Sequence, residues 1–146
     1  MTDLKLLASA LDSQQVEIDL ARIATIESSN NPKADSFRGA KFGRGLHQVS
    51  EIALQEYNQR RKESLTPEEL YDPETNTKVA DWYVQRIGQA LSFWGIPQTE
   101  ETLLASYNWG MGNVRRWYKE GADPKKLPKE TRDYIKKYRN LAQGDK

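Results

Sequence analysis

Apolar residues recur along most of the chain at the three- and four-residue spacing of amphipathic helices, and no segment shows convincing strand alternation. The pattern predicts a mainly α-helical domain with at most a short β-hairpin within residues 37–50. Shorter helical segments are predicted at residues 67–71 and just before Gly121. The longer helices are predicted at about residues 3–10, 13–29, 51–62, 73–93, 100–108 and 129–141.

Small polar residues stand before most of these segments, where their side chains can accept the free N–H groups of a helix start. The predicted caps are Thr2, Asp12 or Ser13, Ser50, Thr66, Asp72 and Thr99. The helix before Asn31 must end near Ser29, because Asn31 precedes Pro32 and is biased away from helical geometry. Gly95 and Pro97 end the longest helix.

Glu27 lies in the last turn of a predicted amphipathic helix, on the same stripe as Val16, Leu20, Ile23 and Ala24. The stripe should face the core, so the carboxyl should be partly buried, which raises a carboxyl's pKa. A carboxylic acid that keeps its proton at neutral pH is what cleavage of a glycosidic bond needs. The alternative is a solvated charge at a helix end or half of a salt bridge.

The segment around Glu27 is the first of four sequence blocks that are informative when they are taken together in chain order. They are ESSNNPKADS (27–36) followed by GA (39–40) and GLHQV (45–49), DPETN (72–76), ASYNWGMGNV (105–114) and PKETRDYI (128–135). Together they resemble the soluble lytic transglycosylase (SLT) domain of glycoside hydrolase family 23, whose fold goose-type lysozymes also use. The resemblance covers about residues 21–138 and implies a single α+β lysozyme-like catalytic domain over residues 1–146, with a substrate cleft.

The resemblance also implies roles for individual residues. Glu27 would be the catalytic acid, and Glu130 and Tyr134 would support the catalytic region. The residues that would bind substrate are Ser36, His47, Gln48, Tyr107 and Asn108. From the residues alone, Gln48 could instead stabilise its loop, and Tyr107 could be a buried tyrosine with a satisfied hydroxyl. Asp72 and Asn76 are better interpreted as caps and core ties than as catalysts.

Two-carboxylate glycosidases need a second carboxylate about 5 to 9.5 Å from the acid. Asp35 and Glu51 are near Glu27 in sequence, but neither matches a family catalytic motif. Goose-type lysozymes carry an additional Asp at the position of Ser50. The resemblance therefore implies a mechanism with one acid: Glu27 protonates the leaving oxygen and then takes the proton of the sugar's own 6-hydroxyl, giving a 1,6-anhydro ring.

The chain departs from the family pattern at three places. Residues 41–44 stand where the common form has one residue, so this loop is longer and more basic. His47 stands where the family usually has Met, and it is the chain's single histidine. It can pack, contact sugar or contribute to acid–base chemistry, whereas a metal site generally needs several ligands. Trp109 occupies a position that is commonly small, so its ring is expected either to narrow or to extend the sugar-binding surface.

The composition of the chain limits the chemistry and the binding partners that are possible. The net charge is +1, but residues 101–146 hold 11 Lys and Arg against 6 Asp and Glu. A basic C-terminal third suits an anionic polymer or simply solvates helix faces. There is no Cys, which excludes disulfides and thiol catalysis, and no cofactor or metal is expected. No apolar run suits a membrane span and residues 1–12 lack the pattern of a secretory signal, so the route of delivery stays open.

Three functions are consistent with these features. The first is a lytic transglycosylase that acts on peptidoglycan glycan strands at the bacterial cell wall, in the periplasm or outside the cell. The second is a lysozyme-like hydrolase of the same bond. The third is a non-catalytic domain that binds glycan or, less favoured, nucleic acid. A monomer is expected, since no large apolar surface is evident.

Overall fold

The computed structural model describes residues 16–144. The chain is mainly helical over this range, which confirms the predicted fold class. Three short 3₁₀ turns lie between the helices, at Ala40–Phe42, Pro67–Tyr71 and Pro124–Lys126. The helices are α1 (Leu20–Ser28), α2 (Glu51–Arg61), α3 (Pro73–Phe93), α4 (Glu100–Trp109), α5 (Met111–Lys119) and α6 (Lys129–Gly144).

Within residues 16–144 there is no β-sheet, and the predicted hairpin is reduced to two isolated bridges. Arg44 pairs with both Asp35 and Val49 in antiparallel geometry. These bridges give the segment between α1 and α2 a fixed shape without a continuous ladder. The predicted helix at residues 3–10 lies outside the described residues.

The start of α1 corrects one prediction. The helix begins at Leu20 rather than near Asp12 or Ser13, and residues 16–19 are not helical. Asp19 is the N-cap: its carboxylate accepts the N–H of Ala21 at 3.0 Å, and its own N–H donates to the hydroxyl of Tyr138 at 2.8 Å. A tertiary hydrogen bond to a residue 119 positions away therefore helps to fix this start, and no local pattern reveals such a partner.

The starts of α2, α3 and α4 agree with the predicted caps. The Ser50 hydroxyl accepts the N–H of Ala53 at 3.1 Å. The Asp72 carboxylate accepts that of Thr75 at 3.0 Å, and the Thr99 hydroxyl accepts that of Thr102 at 3.0 Å. Each bond satisfies an N–H that has no partner inside its own helix, so each cap fixes the residue at which its helix begins.

Two groups of buried residues form the core, and α3 contributes to both. The smaller group is Val49, Ala53, Leu54, Tyr57, Leu70, Val79 and Ala80. The larger includes Ile23, Ile87, Leu91, Leu103, Leu104, Val114, Trp117, Tyr134, Ile135 and Tyr138. Tyr83 packs against both groups. The helix α3 is thus central to the core, and α1 lies between it and α6 with Ile23 in the larger group.

Apolar residues of α2 and α5 differ in their exposure. Ile52 is 78% exposed, because it falls on the outer side of the first turn of α2. On α5, Trp117 is buried and its ring N–H donates to the carbonyl of Asp123 at 2.8 Å, whereas Tyr118 is exposed. Only Trp117 of these two aromatic residues therefore belongs to the core.

Candidate active site

Glu27 lies in the last turn of α1, one helical turn after the buried Ile23. The helix ends through left-handed backbone at Ser29, with φ of 54°. The Ser28 hydroxyl donates to the carbonyls of Ala24 at 3.1 Å and of Leu46 at 2.8 Å. Ser28 thereby ties the end of the Glu27 helix to the loop that precedes α2, a structural role that the sequence analysis did not assign.

The environment of Glu27 favours its protonated form. The pKa of this carboxyl is raised from 4.5 to about 7, mainly by burial and to a smaller extent by the nearby charge of Glu130. A hydrogen bond from the Tyr134 hydroxyl to Oε2, at 3.0 Å, opposes this by stabilising the carboxylate. A carboxyl with a pKa of about 7 can both give and take a proton near neutral pH. The predicted partial burial of Glu27 is thus what the structure has.

A pocket of about 430 Å³ opens beside this carboxyl, between the end of α1 and one face of α6. Its lining residues are Ile26, Glu27, Asn108, Lys129, Glu130, Asp133, Tyr134 and Lys137. Four of them follow the spacing of one α6 face, at positions 130, 133, 134 and 137. Glu27, Asn108, Glu130 and Tyr134 were predicted from the sequence as site residues. Asp133 and Lys137 were not, although the helical spacing from Glu130 could have indicated them.

The loop facing α1 is held by Asn76, a fully buried residue of α3. Its Oδ1 accepts the backbone N–H of His47 at 2.9 Å. Its Nδ2 donates to the carbonyls of Arg44 and Leu70, both at 2.8 Å. Every amide group of this side chain is used on backbone, which agrees with its interpretation as a core tie rather than a catalyst.

His47 lies in the core, which favours packing among the roles considered for it. Its side chain is only 3% exposed, and Nδ1 lies 2.9 Å from Oδ1 of Asn76. Burial lowers the pKa of this imidazole, so the ring is mostly neutral at neutral pH. A ring enclosed in this way presents no face to a ligand, and we assign His47 to packing at the position where the family usually has Met.

Ser36 and Gln48 use their side chains on their own loop. The Ser36 hydroxyl accepts the N–H of Arg38 at 3.2 Å. The Gln48 amide donates to the carbonyls of Ala34 and Gly45, each at 3.0 Å, and its backbone is left-handed at φ of 51°. Neither residue lines the pocket beside Glu27. Their predicted contacts with substrate stay predictions, and loop stabilisation is the role that these bonds describe.

Tyr107 and Asn108 lie at the end of α4 and are partly buried. The Tyr107 hydroxyl donates to the carbonyl of His47 at 2.6 Å, and burial, together with the charge of Glu27, raises the pKa of this phenol well above 10. Oδ1 of Asn108 accepts the hydroxyl of Thr131 at 2.8 Å, and the residue lines the pocket. Tyr107 joins α4 to the loop, while Asn108 joins it to α6.

The carboxylates considered as partners for Glu27 are engaged elsewhere. Asp35 accepts a hydrogen bond from the Tyr71 hydroxyl, and Glu51 forms an ion pair with Arg44 at 2.6 Å. Neither lines the pocket, whereas Glu130 and Asp133 do. The carboxylates that could act together with Glu27 are therefore those of α6, and not Asp35 or Glu51.

The chain is similar to known proteins in both sequence and structure. A family model described as "Transglycosylase SLT domain" matches residues 7–129. The chain belongs to the SLT domain family. Its structure is also similar to that of the 70-kDa soluble lytic transglycosylase of Escherichia coli, with a TM-score of 0.69 and 30% sequence identity. No curated protein matches the chain.

The similarity to the Escherichia coli enzyme has defined limits. It covers 84% of this chain but only 21% of that one, so the chain spans about a fifth of the length of the larger protein. Membership of the SLT family and the lysozyme-like fold are thus shown, whereas the specific likeness to goose-type lysozymes stays a prediction. Among residues 16–144 no helix is long and apolar enough to cross a membrane.

Proposed function

We propose that this SLT domain is a lytic transglycosylase that cleaves the β-1,4 bond between N-acetylmuramic acid and N-acetylglucosamine in peptidoglycan, at the bacterial cell wall. The observation that carries the proposal is the carboxyl of Glu27, which has a pKa of about 7 and lies in a pocket beside the Tyr134 hydroxyl. Family membership supplies the substrate class.

In the proposed reaction, the protonated Glu27 gives its proton to the oxygen that leaves C1 of N-acetylmuramic acid, and the C1–O bond breaks. The resulting carboxylate then takes the proton of the sugar's own 6-hydroxyl. That oxygen bonds to C1 and closes a 1,6-anhydro ring, so no water is consumed and Glu27 recovers its proton. A pKa near the working pH suits a group that serves in turn as acid and base.

The surrounding residues support these steps by position. The Tyr134 hydroxyl stabilises the carboxylate that exists between the two proton transfers and orients it. Burial at the end of α1 restores the preference for the protonated form afterwards. Asn108, anchored by Thr131, offers its amide N–H groups at the pocket, where hydroxyl or N-acetyl oxygens of a sugar could accept them.

The experiment is mass spectrometry of the sugar products after incubation with purified peptidoglycan, with Glu27→Gln as the matched variant. Gln keeps the shape of the side chain but cannot transfer the proton, and we expect activity to fall by roughly 10³-fold or more. Folding of the variant is checked by circular dichroism. Products lighter by one water than hydrolysed muropeptides support the proposal. Substantial turnover by the pure variant would remove Glu27 from this role.

One observation keeps hydrolysis as a second candidate. Glu130 lines the same pocket, and its charge raises the pKa of Glu27. A carboxylate in that position could activate a water, in which case the products would end in a reducing sugar. Glu130→Gln separates the two reactions: it should abolish hydrolysis, but it should leave formation of the anhydro ring largely in place.

A further inference from the structure

Residues 36–43, here called the aromatic loop, expose two large apolar rings. Phe37 is 91% exposed and Phe42 is 54% exposed, and the loop overlaps residues 41–44, where the chain is longer than the common family form. Scattered apolar residues on a surface need no explanation, but two phenylalanines on one short loop are a concentrated apolar feature.

The aromatic loop is fixed in shape by its own backbone. The N–H of Ser36 donates to the carbonyl of Gly43 at 2.9 Å, that of Gly39 to Ser36 at 2.9 Å, and that of Phe42 to Gly39 at 3.0 Å. Gly39 has a φ of 126°, which favours glycine over other residues. The rings are therefore displayed on a closed, hydrogen-bonded turn, so that binding a ligand would cost little loop ordering.

A cationic side chain lies near each of the two rings. The guanidinium carbon of Arg38 lies 5.5 Å from the centre of the Phe37 ring, and Nζ of Lys41 lies 5.1 Å from that of Phe42. These distances are within the range of cation–π attraction. The loop thus presents apolar faces and positive charge together, and two copies of it would repel each other, which disfavours self-association through this surface.

An ion pair connects the aromatic loop to the pocket that holds Glu27. Nη2 of Arg38 lies 3.8 Å from Oε2 of Glu130, and Glu130 lines that pocket. Both side chains are well exposed, so the pair stabilises little and Arg38 is free to exchange Glu130 for another carboxylate. A polymer that extends out of the pocket past Glu130 would meet this loop.

We propose that the aromatic loop binds the peptide-bearing glycan strand outside the cleavage pocket. Phe37 and Phe42 pack against the apolar faces of sugar rings, and Arg38 and Lys41 bind carboxylates of the stem peptides. The charge is complementary, since stem peptides carry free carboxylates. This inference rests on the proposed function for its ligand, and it adds a second contact that distinguishes long, peptide-bearing strands from short or bare ones.

The test measures binding separately from cleavage, in the inactive Glu27→Gln background. Co-sedimentation with intact peptidoglycan sacculi is compared with retention on glycan strands from which the stem peptides have been removed enzymatically. The double variant Phe37→Ala/Phe42→Ala should bind both ligands about tenfold more weakly. The double variant Arg38→Ala/Lys41→Ala should lose affinity only for the peptide-bearing sacculi, and the loss should shrink as salt is raised.

Two control variants match these changes in kind. Phe93→Ala removes another phenylalanine, 87% exposed, at the end of α3, and Lys125→Ala/Lys126→Ala removes the same charge from an exposed turn. Both should bind like the parent. The proposal is overturned if the aromatic-loop variants bind like these controls, or if they change only the sedimentation coefficient of the free protein, which would indicate self-association instead.

The binding test can succeed or fail independently of the test for cleavage. If the wild-type chain releases no anhydro products but the aromatic-loop variants still lose binding, the proposed activity fails and the binding surface stands. If wild type cleaves sacculi while the loop variants bind unchanged, the surface fails and the activity stands. A cleavage measurement adds a further check: the ratio of kcat/KM on sacculi to that on a peptide-free tetrasaccharide should fall about tenfold in Phe37→Ala/Phe42→Ala.

Discussion

The contact between Tyr134 and Glu27 sets the balance between acid and base at the level of single residues. The Tyr134 hydroxyl lowers the pKa of Glu27 against the larger effect of burial, so that the group ends at about 7 rather than higher. The same burial, with the Glu27 charge, raises the pKa of Tyr134 well above 10 and keeps the phenol a donor. A carboxyl that held its proton more strongly would be a weaker acid in the first step.

Tyr134→Phe tests this balance. Without the hydroxyl the carboxylate loses its donor, so the pKa of Glu27 should rise by about half a unit to one unit. The alkaline limb of the pH profile of kcat should move up by that amount. The value of kcat should fall about tenfold or more, because the carboxylate formed between the two proton transfers loses the donor that stabilises and orients it. The measurement is the rate of product formation at saturating substrate over a series of pH values.

Tyr118→Phe is the control for this substitution, since Tyr118 is an exposed residue of α5 outside the pocket. Its pH profile should match that of wild type. A Tyr134→Phe enzyme whose alkaline limb stays in place, or moves down, would show that the Tyr134 hydroxyl does not stabilise the ionised form of Glu27.

At the scale of elements, the segment between α1 and α2 depends on Gly45. Its φ is +77°, and a Cβ added there would collide with the carbonyl oxygen of Leu70 and with Nδ2 of Asn76. Those two groups are hydrogen-bonded to each other and help to anchor the loop on α3. The glycine is therefore needed both for its backbone conformation and for the space that it leaves.

Gly45→Ala should lower the free energy of unfolding by about 2–4 kcal/mol, through strain at positive φ and displacement of Asn76. Chemical denaturation measures the loss. The control is Gly112→Ala in α5, where an added Cβ meets nothing within 4 Å and where Ala should be neutral or stabilising by up to about 1 kcal/mol. Equal effects of the two substitutions would contradict the proposed role of Gly45.

Local chemistry explains why most helix boundaries could be predicted. Ser50, Asp72 and Thr99 each cap a helix from the position that the sequence indicates, since a cap acts over three residues. The start of α1 could not be predicted in this way, because Asp19 is held by Tyr138 from the opposite end of the chain. The outward position of Ile52 likewise depends on which side of α2 faces α3.

The candidate site was predictable to the extent that it follows a sequence motif. The burial of Glu27 follows from its place on an apolar stripe, and Tyr134 and Glu130 follow from the last block of the family pattern. The role of His47 could not be read from its identity, since a lone histidine gives no sign of whether its ring turns toward solvent or toward Asn76. Its burial comes from the tertiary placement of α3.

For the molecule as a whole, the raised pKa of Glu27 implies that the active site costs stability. The group has a pKa of 4.5 when exposed and about 7 in the fold, so the folded state binds the proton more tightly. Its stabilising contribution is complete below pH 4.5, falls as pH rises from 4.5 to 7, and is lost above 7. Above pH 7 folding must accommodate a partly buried carboxylate.

Glu27→Gln removes this ionisation and leaves a neutral side chain of the same shape. The variant should gain stability over wild type as pH rises, with a difference that grows between pH 4.5 and 7 and levels off at about 1–3 kcal/mol above that range. Urea denaturation at a series of pH values measures it, with Glu17→Gln, an exposed residue, as the control. If the curves of Glu27→Gln and wild type run parallel, the carboxyl is not held protonated by burial. A difference that grows with pH would mean that the same burial that prepares Glu27 as an acid opposes folding of the whole domain above neutral pH.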